Sequence, residues 1–172
     1  MRDIRIPLKL RVVNEGIAHH EDSWIFSNQH ILYRTTIDPI VVETSNYDGI
    51  PEELRALKYD HIGDIDVLDG VIYGGVENKD SNMNAVLATW NASDLQMIRY
   101  KVTTETYHMP WVAVDSSTRL IYSAQWNGDE LMVYDATSFD FIRSIPVTPS
   151  LPKEIQGGAF YDSDLYICVN GG

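Results

Sequence analysis

Only one cysteine, Cys168, occurs among the 172 residues of the chain. A lone thiol can close no intrachain disulfide and build no thiolate metal site, so disulfide-stapled scaffolds and zinc ribbons are excluded. Its setting, Leu165-Tyr166-Ile167-Cys168-Val169, predicts a small buried strand residue. Basic residues are scarce as well: 13 Lys and Arg stand against 25 Asp and Glu, for a formal net charge of −12. Such a chain repels phosphate backbones and anionic lipid surfaces, which argues against nucleic acid and membrane partners. No apolar run is long enough to cross a bilayer. Met1-Arg2-Asp3-Ile4-Arg5-Ile6-Pro7 has neither the apolar stretch nor the small-residue cleavage site of a secretory leader. The chain therefore reads as soluble and by default intracellular, although a secreted chain already freed of its leader would read the same way.

Chemical signatures are also missing. There is no G-x-S-x-G elbow, and Ser123 stands in an ordinary strand pattern. Gly74-Gly75, Gly157-Gly158 and Gly171-Gly172 are followed by no helix-forming stretch or Lys, so they are not phosphate loops; close approach of backbones is their expected role. Sustained helical periodicity is absent, and only Pro51 to Lys58 predicts two helical turns, in a surface connection.

What the chain does have is repetition. Four eleven-residue segments align without a gap: Gly16 to Phe26, Gly63 to Tyr73, Val112 to Tyr122 and Gly157 to Ile167, with starts 47, 49 and 45 residues apart. Each passes from small or apolar residues through a polar turn into an apolar-aromatic run, which is the pattern of a β-hairpin. A second hairpin follows in the middle units. Ala88 to Arg99 matches Met132 to Arg143, with Asn91 and Asp135 placed to close Asx-turns and the next strands expected at Leu95 and Phe139. In the first unit the corresponding turn is Asp38-Pro39. Four strands per unit of this length predict an all-β fold built of propeller blades.

Leu131-Met132-Val133-Tyr134-Asp135-Ala136-Thr137 resembles the third strand of the YVTN, NHL, lactonase-like and quinoprotein-like β-propellers, and the resemblance extends over nearly the whole chain. The WD dipeptide of WD40 repeats and the tryptophan-docking repeats of quinoprotein dehydrogenases are absent. The resemblance implies three complete four-stranded blades at residues 15–59, 60–107 and 108–153, a partial blade at 154–172, and residues 4–13, centred on Ile6–Val13, as an outer strand of a preceding or closing blade. It implies a piece of a six- to eight-bladed ring in preference to a cramped four-bladed one, completed by a missing segment, a second chain or self-association. Because this superfamily holds binding modules, enzymes and scaffolds, the resemblance leaves function open.

In a propeller the central channel is lined by the inner strands and the loops that enter them. On that logic Glu15, His61, Asp64, Trp111 and Gln156 stand near inner-strand starts, while Gln29, Glu77, Gln125 and Asn170 stand across the first hairpins. Gln29, Trp111, Gln125, Gln156 and Asn170 are the expected ligand-binding residues, with the amides facing a polar tunnel. Asp64 and Asp66, two apart, share a face on a strand. Glu15, Asp64 and Glu77 brought together would supply hard oxygen ligands suited to Ca²⁺, as in the channel of propeller lactonases, although the residues do not match that ligand set. His61 and His108 precede neighbouring inner strands and are the candidate proton-transfer groups. Adjacent His19 and His20 diverge on a strand and form no chelating pair. The leading expectation is a binding or interaction propeller presenting a site to a small molecule or a protein; the alternatives are a calcium-dependent hydrolase or lyase and a structural component of a larger assembly.

Overall fold

The computed structural model describes residues 15–78 and 82–170, so the expected strand at Ile6–Val13 and the pair Gly171-Gly172 lie outside the described residues. The first sheet comprises β1 (Gly16–His20), β2 (Ser23–Asn28), β3 (Ile31–Thr36) and β4 (Val42–Asn46). A one-turn helix, α1 (Glu52–Ala56), leads to the second sheet: β5 (His61–Leu68), β6 (Val71–Glu77), β7 (Val86–Asn91) and β8 (Met97–Val102). The third contains β9 (Ala113–Asp115), β10 (Leu120–Ser123), β11 (Glu130–Asp135) and β12 (Phe141–Pro146), and a two-stranded sheet follows from β13 (Ile155–Tyr161) and β14 (Asp164–Val169). Each strand pairs antiparallel with its sequence neighbours in its sheet.

All four aligned segments form the first hairpin of a sheet. In three the strands close around two residues, as the facing pairs His20 and Ser23, Leu68 and Val71, and Tyr161 and Asp164 show. The tight turns demand left-handed backbone, found at Asp69 and Gly70 and at Asp162 and Ser163. Residues with short polar side chains, or none, adopt that conformation at least cost, which is why these turns are legible in the sequence.

The second hairpin departs from expectation in an instructive way. Asn91 and Asp135 do close Asx-turns, their Oδ1 atoms accepting from Ser93 N and Thr137 N at 2.8 Å. Leu95 and Phe139, however, are turn residues with φ of 62° and 61°, and the strands begin two positions later, at Met97 and Phe141. Their backbone N–H groups donate to Asn91 O and Asp135 O while their side chains are buried in the core. A left-handed bulky residue costs about 1–2 kcal/mol, and burial of the side chain offsets it.

The sheets stack face to face, and the core is the set of layers between them. Ile25, Leu32, Ile62, Ile72 and Trp90 fill the layer between the first and second sheets. Tyr73, Leu87, Val112, Ile121 and Tyr134 fill the next, and Trp111, Ala113, Ala124, Leu151 and Ile155 lie between the third sheet and β13–β14. Trp90 is fully buried and its indole N–H is satisfied by Gly49 O at 2.7 Å. The outermost strands β8 and β12 are largely exposed, whereas the first strand of every sheet reaches a common interior in which β5 contacts β1, β9 and β13.

Cys168 corrects one expectation. It is exposed, at the rim of a cleft shared with Ile17, Asp64 and Gly157. The residue lies on β14, which has β13 as its only strand neighbour among the described residues, so less of that sheet is covered than the apolar pattern suggests.

Candidate functional site

β5 organises the meeting of the first strands. A register irregularity between Ile62 and Ile65 frees Gly63 and Asp64 from regular pairing with β6. The released N–H of Asp64 donates to Pro110 O at 2.8 Å, drawing the segment before β9 against the bulge. Two glycines permit this approach: a Cβ on Gly63 would lie 2.2 Å from Pro110 O, and one on Gly75 would lie 2.1 Å from Met109 O. The backbone of Met109 is held further by its N–H donating to Glu77 Oε2 at 2.7 Å. His108, next in the chain, is thereby carried to the end of β6.

The outcome is a cavity of about 350 Å³ to which all four sheets contribute. Glu15 enters from just before β1, His61 from the start of β5, Glu77 from the end of β6, His108 and Pro110 from the approach to β9, Trp126 from beyond β10, and Gln156 from β13. His61 Nε2 lies 3.5 Å from Glu15 Oε2, and His108 Nδ1 lies 3.2 Å from Glu77 Oε2. The second contact is close but poorly aligned, so Nδ1 of His108 makes no regular hydrogen bond; Nδ1 of His61 is likewise buried without a partner. Glu77 is 2% exposed. Its carboxyl is held above the usual carboxylate range, first by burial, with the charge of Glu15 adding to the rise; His108, the Met109 N–H and His61 pull the other way. Two imidazole–carboxylate pairs thus share one electrostatic environment.

The remaining expected site residues are distributed differently. Asp64 lines a different cleft from Glu77. It accepts from Ile17 N at 3.3 Å and Gly158 N at 3.2 Å, joining the first strands of three sheets. Asp66 accepts from Val114 N at 2.8 Å, so the two aspartates serve different neighbours because the bulge turns one relative to the other. Glu15, Asp64 and Glu77 therefore do not gather around one point as the Ca²⁺ expectation required. Among the described residues, no group of three or more His, Cys, Asp or Glu side chains is spaced to hold a metal ion. Trp111 is wholly buried against Gly158, where a Cβ would meet the indole at 2.5 Å; it is a wedge in the core and lines no cavity wall of the site. Gln29 is exposed in a turn with φ of 43°, and its carbonyl receives Ile62 N. Gln125 lines an adjoining cleft with His108 and Trp126, and exposed Asn170 donates its backbone N–H to Glu154 O. The amides thus form no single ring.

Trp126 and Pro110 are site residues that sequence reasoning missed. The available signal was position: Trp126 lies just beyond a first hairpin, beside Gln125, and Pro110 lies between His108 and the third inner strand.

No protein-family model matches the chain, and no curated protein matches it. Among solved structures it is similar to Saccharomyces cerevisiae Sqt1, a WD40 propeller protein, with a TM-score of 0.57 and 14% identity. The alignment covers 88% of this chain and 42% of that one, so the chain spans about two-fifths of the length of that structure. At this identity the likeness is one of fold: the chain is all-β and propeller-like, without the WD dipeptide in its own repeats.

Proposed function

We propose that the chain is a binding module of the propeller type whose working site is the cavity between Glu15, His61, Glu77, His108, Trp126 and Gln156. The observation that carries this reading is the convergence: six polar or aromatic side chains associated with four separate sheets meet around one cavity, and two of them, His61 and Glu77, are more than nine-tenths buried. Burying ionisable groups is costly unless a partner compensates, and sites that bind ligands are where such cost is commonly met. Concave sites with a few convergent polar groups are the usual form of a small-ligand site.

The two His–Glu pairs also have the composition of acid–base dyads. Among the described residues the cavity wall offers no Ser, Thr, Cys or Lys nucleophile, so binding accounts for more of its features than covalent hydrolysis through such a group does. A fragment screen by saturation-transfer NMR tests the reading. Hits are expected whose signals disappear in Trp126→Ala and persist in Tyr161→Ala, a change at an exposed residue remote from the cavity lining. A screen whose hits are indifferent to Trp126→Ala and His108→Ala would overturn it.

A further inference from the structure

Resting on that reading, we propose that the group bound in this cavity is an organic cation, an ammonium or guanidinium, carried by a small amine or presented by a peptide side chain. Among the described residues the lining supplies two carboxyl groups, two imidazoles, an amide and an indole, and no Lys or Arg. Elsewhere on the chain cations do meet acids, as in Arg55–Asp48, Lys101–Asp140 and Arg119–Asp69. Here, among the described residues, the only basic side chains beside the acids are imidazoles, and Glu77 also accepts from the Met109 N–H.

The His61 imidazole adds to the acceptor surplus. A carboxylate facing one ring nitrogen favours the tautomer with the proton on that nitrogen and leaves the other as a lone-pair acceptor. Glu15 faces Nε2 of His61, so its Nδ1 is assigned as an acceptor, and that atom is buried with no hydrogen-bond partner. A ligand rich in N–H groups matches a wall whose acidic groups, Glu15 and Glu77, bring acceptor oxygens.

Two further observations favour positive charge. Trp126 gives the wall an indole, the ring with the strongest attraction for a cation over its face. The formal charge of −12 draws cations toward any opening on this surface. A bare metal ion fits less well, because the four ionisable groups are not spaced as a chelating set.

The test is a charge series on one scaffold, measured by titration calorimetry on the full chain at pH 7.5 and low salt. Phenethylamine is expected to bind at least about tenfold more tightly than phenethyl alcohol, the difference of one charge-assisted contact, and 3-phenylpropionate is expected to give no heat. Glu15→Gln, checked for an unchanged circular dichroism spectrum, should remove most of the advantage of the amine and leave the alcohol unaffected. Nα-acetyl-lysinamide separates the sources: tighter binding than phenethylamine assigns the cation to a peptide side chain, weaker binding to a free amine. If alcohol and amine bind equally, or the carboxylate binds best, and Trp126→Ala abolishes that binding, the cation inference falls while the cavity reading stands. If no probe binds at millimolar concentration, both fall.

Discussion

Asp64 on β5 accepts a hydrogen bond from the backbone N–H of Gly158 on β13, across 94 residues of chain. Its other oxygen accepts from Ile17 N of β1. One carboxylate thus bridges the first strands of sheets that are far apart in sequence. Gly16 and Gly157 make room for it, since a Cβ on Gly16 would come within 2.7 Å of Asp64 Oδ1 and one on Gly157 within 2.7 Å of Asp64 Oδ2.

This placement gives stability a definite pH dependence. Burial holds the Asp64 carboxyl up at about 7, from an ordinary value of 3.8, although the backbone donors Gly158, Ile65 and Ile17 pull it down; the nearby Asp66 charge adds to the rise. Burial raises Asp66 and Glu77 as well. An acid raised in this way binds more protons folded than unfolded between its two pKa values, so stability falls as pH rises through that window. For Asp64 the destabilisation is absent below about 4 and complete above about 7. Urea midpoints should decline from pH 5 to pH 8, Asp64 contributing on the order of 2–4 kcal/mol. Asp64→Asn should flatten much of that decline, and a midpoint that rises with pH would contradict the assignment.

Cys168 reports on the same carboxylate. Partial burial and then the Asp64 charge raise its thiol above the ordinary range. Alkylation by iodoacetamide, followed against pH, should have its midpoint above that of a free cysteine. Asp64→Asn should lower that midpoint and quicken the reaction at pH 8. An unchanged profile in the variant would separate the two groups.

Phe139 combines a left-handed backbone, a buried ring and a cation above it, with Arg99 Cζ 3.9 Å from the ring centroid. Phe139→Ala should cost about 3–5 kcal/mol, the usual range for removing a buried phenylalanine. A double-mutant cycle with Arg99→Met should return a coupling of about 0.5–1 kcal/mol, since the guanidinium is exposed. A coupling near zero would show the stacking to be incidental.

Gly63 and Gly75 are tested by single methyl groups. Either alanine substitution drives a Cβ into a backbone carbonyl, Pro110 O or Met109 O, and backbone yields less readily than a side-chain end. Each should destabilise by at least about 1–3 kcal/mol. Because both hold the segment before β9 that carries His108, cavity binding should weaken in any variant that remains folded. Gly128→Ala, whose added Cβ would come no closer than 3.2 Å to any atom of Gln125, is the milder comparison and should cost less.

Hairpins were the most legible part of this protein in its sequence. Alternation of apolar residues around short polar turns acts over fewer than a dozen residues, so Gly16 to Phe26 and its three counterparts declare their strands locally. The turn positions of Leu95 and Phe139 were not legible, because a bulky apolar residue enters left-handed backbone only when a neighbouring sheet rewards the burial. His61, the first residue of β5, and His108, ahead of β9, line the same cavity, and so does Trp126, which the sequence pattern did not single out.

By itself, then, the order of residues determined the repeat, the antiparallel hairpins and the all-β class, all of which follow from local alternation and turn chemistry. Only the tertiary structure decided which acids meet which partners. A bulge of β5 turned Asp64 toward Ile17 and Gly158, and two glycines let Met109 and Pro110 approach, which brought His108 to Glu77. Such contacts depend on how sheets approach one another, and a strand's own pattern says which face is apolar without saying how close the next sheet will come.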